Sequence, residues 1–198
     1  MRQFVFVPPN HFVVCDRVTS TQAEFQKRWL LHTAREPRLE GKMFSAVQGE
    51  GRILCRTIFP EDATLVAIGG PGKEFWTDGR NWPLPQRWRR PRNMELMGKW
   101  RVEVSPGAAR KTDVFVHLIE VGDGAAINEM AGCTRIQTDT HVGVGFSIGD
   151  RAVDVTFAKE GGIAGHIRIT EGEQILDRDF VTRVQKQAMF DLGVPPVE

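Results

Sequence analysis

The chain has 198 residues, 41% hydrophobic and 26% charged, with a formal net charge of +1. That length suits one large domain or two small ones, and the composition is that of a soluble globular protein, read here as a single domain over 1–198. No apolar run approaches the roughly 18 residues of a membrane helix, and the near-neutral charge supplies no global field for nucleic acid, so any electrostatic function must be local.

In chain order, period-2 alternation with β-branched and aromatic residues predicts strands at 3–7, 11–18, 26–33, 43–48, 51–59 and 63–68. A second series is predicted at 99–105, 113–121, 133–138, 141–147, 151–158, 163–170 and 173–180. Only Ser20 to Glu24 and Thr182 to Phe190 could hold a helical turn. Gly49-Glu50-Gly51 and Gly149-Asp150 read as hairpin connections, and Gly69-Gly70-Pro71-Gly72 as a tight turn without a following helix to present amides to phosphate. The expectation is an all-β fold, an antiparallel β-sandwich of two or more layered sheets with little helix. Strand 113–121 is apolar on both faces, with Val114, Val116 and Leu118 on one and Phe115, Ile119 and Val121 on the other. It needs cover on both sides, from a third layer or from another domain.

One segment breaks the alternation. Residues 76–93, WTDGRNWPLPQRWRRPRN, hold three tryptophans, five arginines and three prolines, and read as an irregular excursion. Guanidinium forks recognise carboxylate and sulfate, and indole faces pack on sugar rings, so Trp76, Arg80, Trp82, Arg87, Trp88, Arg89 and Arg90 are candidate contacts for an acidic polysaccharide. A plain covering loop and a single-stranded nucleic acid site are the competing readings of the same composition.

His32 in WLLHT and His117 in DVFVHLIEV lie in apolar strands, whereas His11, His141 and His166 lie near strand ends or among polar residues. His32 and His117 are expected to be interior histidines held by hydrogen bonds, with a metal or catalytic role as the alternative. Cys15, Cys55 and Cys133 are too few and too scattered for a disulfide framework or a zinc ribbon. No nucleophile motif, phosphate loop or local metal-ligand spacing is present, and no acid/base set can be assembled.

Several segments together resemble, in order and spacing, the C-terminal β-sandwich portion of heparinase II/III-like polysaccharide lyases. They are RQFVFVPPNHFVVCDRVTS, KRWLLHTAREP, IGGPGKEFWTDGRNW, GKWRVEVSP and KTDVFVHLIEV, which lie within residues 2 to 121. The resemblance implies a parent with an N-terminal α-helical toroid that cleaves acidic, uronate-containing polysaccharide by β-elimination. It also implies a tyrosine and histidine acid/base pair and a metal, zinc or calcium, in the parent.

The chain holds no HxHxDxGxF-like stretch and no tyrosine. The expectation is therefore an accessory sandwich, inactive alone, with no cofactor of its own. The doubly apolar strand and the early first strand would then be surface left behind by a missing part. His11 or His32 could approach the parent's metal site from the side. The expected partners are the toroid and catalytic layer and acidic polysaccharide, not nucleic acid or membrane. The location is periplasmic or extracellular if the parent is a lyase, although no signal peptide is visible. An exposed first strand could also pair edge to edge in a homodimer. The alternative function is a stand-alone carbohydrate-binding module for acidic glycans.

Overall fold

A computed structural model gives the structure and describes residues 1–88 and 91–181, apart from the side chains of 88 and 91–93. The first strands are β1 (Arg2–Val7), β2 (His11–Thr19), β3 (Trp29–Thr33), β4 (Arg38–Glu40), β5 (Met43–Gln48), β6 (Gly51–Phe59) and β7 (Thr64–Gly69). A small hairpin of β8 (Trp76–Thr77) and β9 (Arg80–Asn81) follows, then a 3-10 turn at Gln86–Trp88 and one short helix, α1 (Pro91–Leu96). The chain continues through β10 (Trp100–Ser105), β11 (Thr112–Asp123), β12 (Cys133–Gln137), β13 (His141–Ile148), β14 (Arg151–Ala158), β15 (Gly165–Glu171) and β16 (Gln174–Asp179).

The strands form three layers. A six-stranded antiparallel sheet in the order β1-β2-β11-β6-β5-β4 lies in the middle. A three-stranded sheet, β3-β10-β7, covers one face, and a five-stranded sheet, β12-β13-β14-β15-β16, covers the other. Between the middle and five-stranded sheets, Val13, Leu54, Val116 and Leu118 pack on Val144, Phe146, Val155 and Phe157. Between the middle and three-stranded sheets, Val14, Phe44, Cys55, Phe115 and Ile119 pack on Trp29, Val102 and Val104.

β11 is the strand common to both cores, and every residue from 115 to 120 is buried. Its two apolar faces are met by two layers of this same chain, because successive side chains of a strand point to opposite sides. The doubly apolar pattern is thus the mark of a central strand, and the expectation that a missing part leaves it uncovered is corrected. β1 forms one edge of the middle sheet and pairs only with β2 among the described residues.

A register shift between Val116 and His117 on β11 skips Ile58 of β6. The shift sets Phe59 opposite Val116 and Thr57 opposite His117, where the Thr57 hydroxyl lies 3.2 Å from His117 Nδ1. Two expected hairpins form with two-residue turns, Gln48 pairing Gly51 and Ile148 pairing Arg151. At the glycine-rich turn the indole of Trp100 lies against Gly69 and Gly70, where a Cβ would meet ring atoms at 2.7 Å in either case.

Two sequence expectations change, and a third falls outside the described residues. Ser20 to Glu24 forms bends and a turn rather than a helical turn, with the Ser20 hydroxyl donating to the Gln22 carbonyl at 2.6 Å and diverting the backbone. Thr182 to Phe190 lies outside the described residues. The excursion at 76–93 is not wholly irregular, because Asp78-Gly79 closes the β8-β9 hairpin with both φ angles positive, 50° and 77°, and helical turns at Gln86–Trp88 and Pro91–Leu96 stand where the sequence pattern placed none.

Candidate functional site

β3 carries Trp29, Leu31 and Thr33 toward the middle sheet and Leu30 and His32 away from it. β10 does the same, with Val102 and Val104 inward and Arg101 and Glu103 outward. Antiparallel register sets Arg101 beside His32 and Glu103 beside Leu30, so charged and imidazole groups share the outer face.

On this outer face Leu30 and His32 are exposed, whereas Arg101 and Glu103 are largely covered. The side chains of Arg101 and Glu103 are 16% and 11% exposed. The β8-β9 hairpin folds over them, and Arg101 Nη1 donates to the Trp76 carbonyl. Asn81 braces the hairpin, accepting from the Phe75 amide at 2.7 Å and donating to Glu74 Oε2 at 3.0 Å. Between hairpin and sheet lies a groove of about 590 Å³, lined by Arg28, Leu30, His32, Glu74, Trp76 and Arg101 among others.

The groove's charges are arranged around one carboxylate. Arg101 Nε donates to Glu103 Oε1 at 2.7 Å, and Arg28 Nε lies 3.4 Å from Glu103 Oε2. Burial, reinforced by the Arg101 charge, holds the His32 imidazole below its ordinary pKa and favours its neutral form. Backbone amide bonds, aided by Asn81 and Lys99, keep the Glu74 carboxyl below the usual range.

His32 is therefore not interior: it is exposed on the outer sheet, because alternation from the buried Trp29 and Thr33 turns it outward. His117 is 0% exposed, stacked on Trp29 with ring centroids 3.8 Å apart. Its Nδ1 is 3.2 Å from Thr57 Oγ1, and its Nε2 has no hydrogen-bond partner among the described residues. Burial pushes its pKa down to about 3. The two histidines do not meet, since one faces the core between two sheets and the other faces the groove.

Of the candidate glycan contacts, Trp76 lines the groove, and Lys73 Nζ sits 5.6 Å from its ring. The Arg80 guanidinium lies 3.3 Å from the centroid of Trp82, so one face of that indole is already occupied. Arg87 is exposed on the 3-10 turn. The Trp88 side chain and residues Arg89 and Arg90 lie outside the described residues.

Sequence reasoning missed Arg28, Arg101, Glu103 and Glu74. The usable signal was the alternation in WRVEVS, which puts Arg101 and Glu103 on the face opposite Val102 and Val104.

His11 is a second buried imidazole, 4% exposed and stacked on Phe146 at 5.4 Å. Its Nε2 lies 3.8 Å from Glu120 Oε2, too long for a hydrogen bond. Among the described residues no group of three or more His, Cys, Asp or Glu is placed to hold a metal ion. No protein-family model matches the chain, and no curated protein matches it.

Proposed function

We propose that this chain is a glycan-contacting accessory β-sandwich, of the kind the resemblance to heparinase II/III-like polysaccharide lyases implies. In that reading it works beside a toroidal catalytic partner and does not carry out β-elimination alone. The observation that carries the reading is the groove over the three-stranded sheet, where an indole and two guanidinium groups converge. Indole offers an apolar face to a sugar ring, and guanidinium offers paired donors to its acidic groups. No tyrosine is available for proton abstraction, which agrees with a binding role for the chain by itself.

Isothermal titration with heparin, alginate and ulvan oligosaccharides tests the reading. At least one is expected to bind, and a Trp76→Ala, Arg101→Ala variant is expected to lose that binding. No binding by the unaltered chain, or undiminished binding by the variant, would remove the groove as a glycan site. Absorbance near 232 nm reports unsaturated uronate formation; sustained turnover by this chain alone would overturn its accessory role.

A further inference from the structure

Glu103 is unusual for the outer face of a sheet: its side chain is 11% exposed, and each of its two oxygens faces a different guanidinium. A carboxylate this far from water needs such partners, since its desolvation would otherwise be costly. Both arginines approach through Nε rather than through their terminal amino groups. Arg101 then uses Nη1 on the Trp76 carbonyl, and Arg28 uses Nη2 on Gln26 Oε1. Nη2 of Arg101 and Nη1 of Arg28 are left without partners among the described residues.

We propose that Glu103 is a positioning residue that holds Arg28 and Arg101 as a clamp for one carboxylate group of a ligand. The proposal rests on reading the groove as glycan-contacting and specifies the group it takes. Two guanidinium charges against one carboxylate leave a single positive charge, which a monovalent anion neutralises. One open terminal nitrogen on each arginine, Nη2 of Arg101 and Nη1 of Arg28, offers N–H donors to the two oxygens of a planar carboxylate. The Glu103 charge disfavours a divalent ion such as sulfate, because a second negative charge would meet it in a partly desolvated site. Glu74 lines the same groove and is kept ionised chiefly by backbone hydrogen bonds, so its charge adds to the repulsion that a second negative charge would meet. His32, opposite Arg101, is the remaining titratable group on this face of β3.

The test is an NMR titration of the full chain with sodium glucuronate, read at the arginine Nε–Hε resonances. Both Arg28 and Arg101 are expected to shift along one saturating curve, and Glu103→Gln is expected to weaken that binding about tenfold, because a neutral amide keeps at most the bond to Arg101 and loses the charge that holds Arg28. Simple charge repulsion predicts the opposite sign, so equal or tighter binding by Glu103→Gln overturns the positioning role.

Arg101→Lys keeps the charge without the fork and gives a second reading if the first variant unfolds. It is expected to lose about as much, and unchanged affinity overturns the clamp. Sodium sulfate bound more tightly than glucuronate overturns the carboxylate preference. Oligosaccharide binding without shifts at the two arginines sinks the clamp and leaves the glycan reading standing. Glucuronate shifts in a chain that binds no polymer do the reverse.

Discussion

His117 is an imidazole kept neutral by its surroundings. It is stacked on Trp29 and bonded through one nitrogen, and burial pushes its pKa down to about 3. A group whose folded pKa is depressed in this way protonates more readily in the unfolded chain. Stability is therefore full above the ordinary histidine value and is lost as pH falls from about 6.5 toward 3, by at most about 1.4 kcal/mol per pH unit. Replacing His117 with Phe removes that dependence while keeping a ring against Trp29. Urea unfolding at pH 7, 5 and 4 is expected to give a shallower pH slope for the variant; equal slopes would show that His117 is not the titrating group.

At the same scale, Gly143 of β13 is a steric rather than a conformational requirement, since a Cβ there would meet the Val155 carbonyl oxygen at 2.0 Å. Gly143→Ala is expected to cost about 1–3 kcal/mol, whereas Gly132→Ala, with nothing within 4 Å, should be close to neutral.

Among the elements, β16 depends most on a few polar contacts, because all six of its residues are exposed. Its link to β15 includes His166, whose Nε2 is 2.8 Å from Asp177 Oδ1 and whose Nδ1 is 2.9 Å from Asp179 Oδ1. The bond to Asp179 and the charges of both aspartates raise the His166 pKa. This contribution is therefore present below the ordinary histidine value and is lost as pH rises through the raised folded value. Hydrogen exchange is expected to show β16 losing protection relative to β13 between pH 6 and pH 8, by a few-fold only, since solvent screens the pair. In His166→Gln the relative protection should no longer change with pH. Persistence of the change in that variant would assign it to another group.

For the whole molecule, the joints between layers carry buried charge as well as apolar packing. Lys27, in the segment leading to β3, has a side chain 6% exposed and lies 3.1 Å from Asp113 Oδ2 on β11, whose side chain is 1% exposed. Lys27 Nζ donates to the Arg110 carbonyl, and Arg110 Nε donates to Asp113 Oδ1 at 2.8 Å. The outer three-stranded sheet is thus tied to the middle one by an ion pair that water scarcely reaches. Lys27→Met is expected to destabilise the fold by about 3–5 kcal/mol, chiefly by leaving Asp113 short of a counter-charge. A shift in the urea midpoint measures this, and a shift worth under about 1 kcal/mol would mean that Arg110 alone satisfies the carboxylate.

Most strand positions were legible because each depends on a local period of two, but β4 at Arg38–Glu40 is too short to show it, and the strand expected at 26–33 begins only at Trp29. Polar punctuation marked the hairpins for the same reason, as at Gly149-Asp150. The excursion hid its hairpin because Asp78-Gly79 sits between two-residue strands, too short to show alternation.

What alternation does not fix is which face of a strand meets a partner and how many layers assemble. His32 looked interior because its neighbours in WLLHT are apolar, yet β3 is covered on one side only, and Leu30 and His32 face outward. Likewise, β11 could announce that both faces need cover, but only long-range pairing shows that the cover comes from Trp29 and Val104 on one side and Val144 and Phe157 on the other. The Arg28–Glu103–Arg101 cluster depends on the register between two strands about 70 residues apart in sequence, a contact that loop closure and core packing settle together. The sequence by itself determined the β period and the turns, which are local. The tertiary structure decided the three layers, the inward and outward sides and the groove, because burial is a property of the assembled sheets.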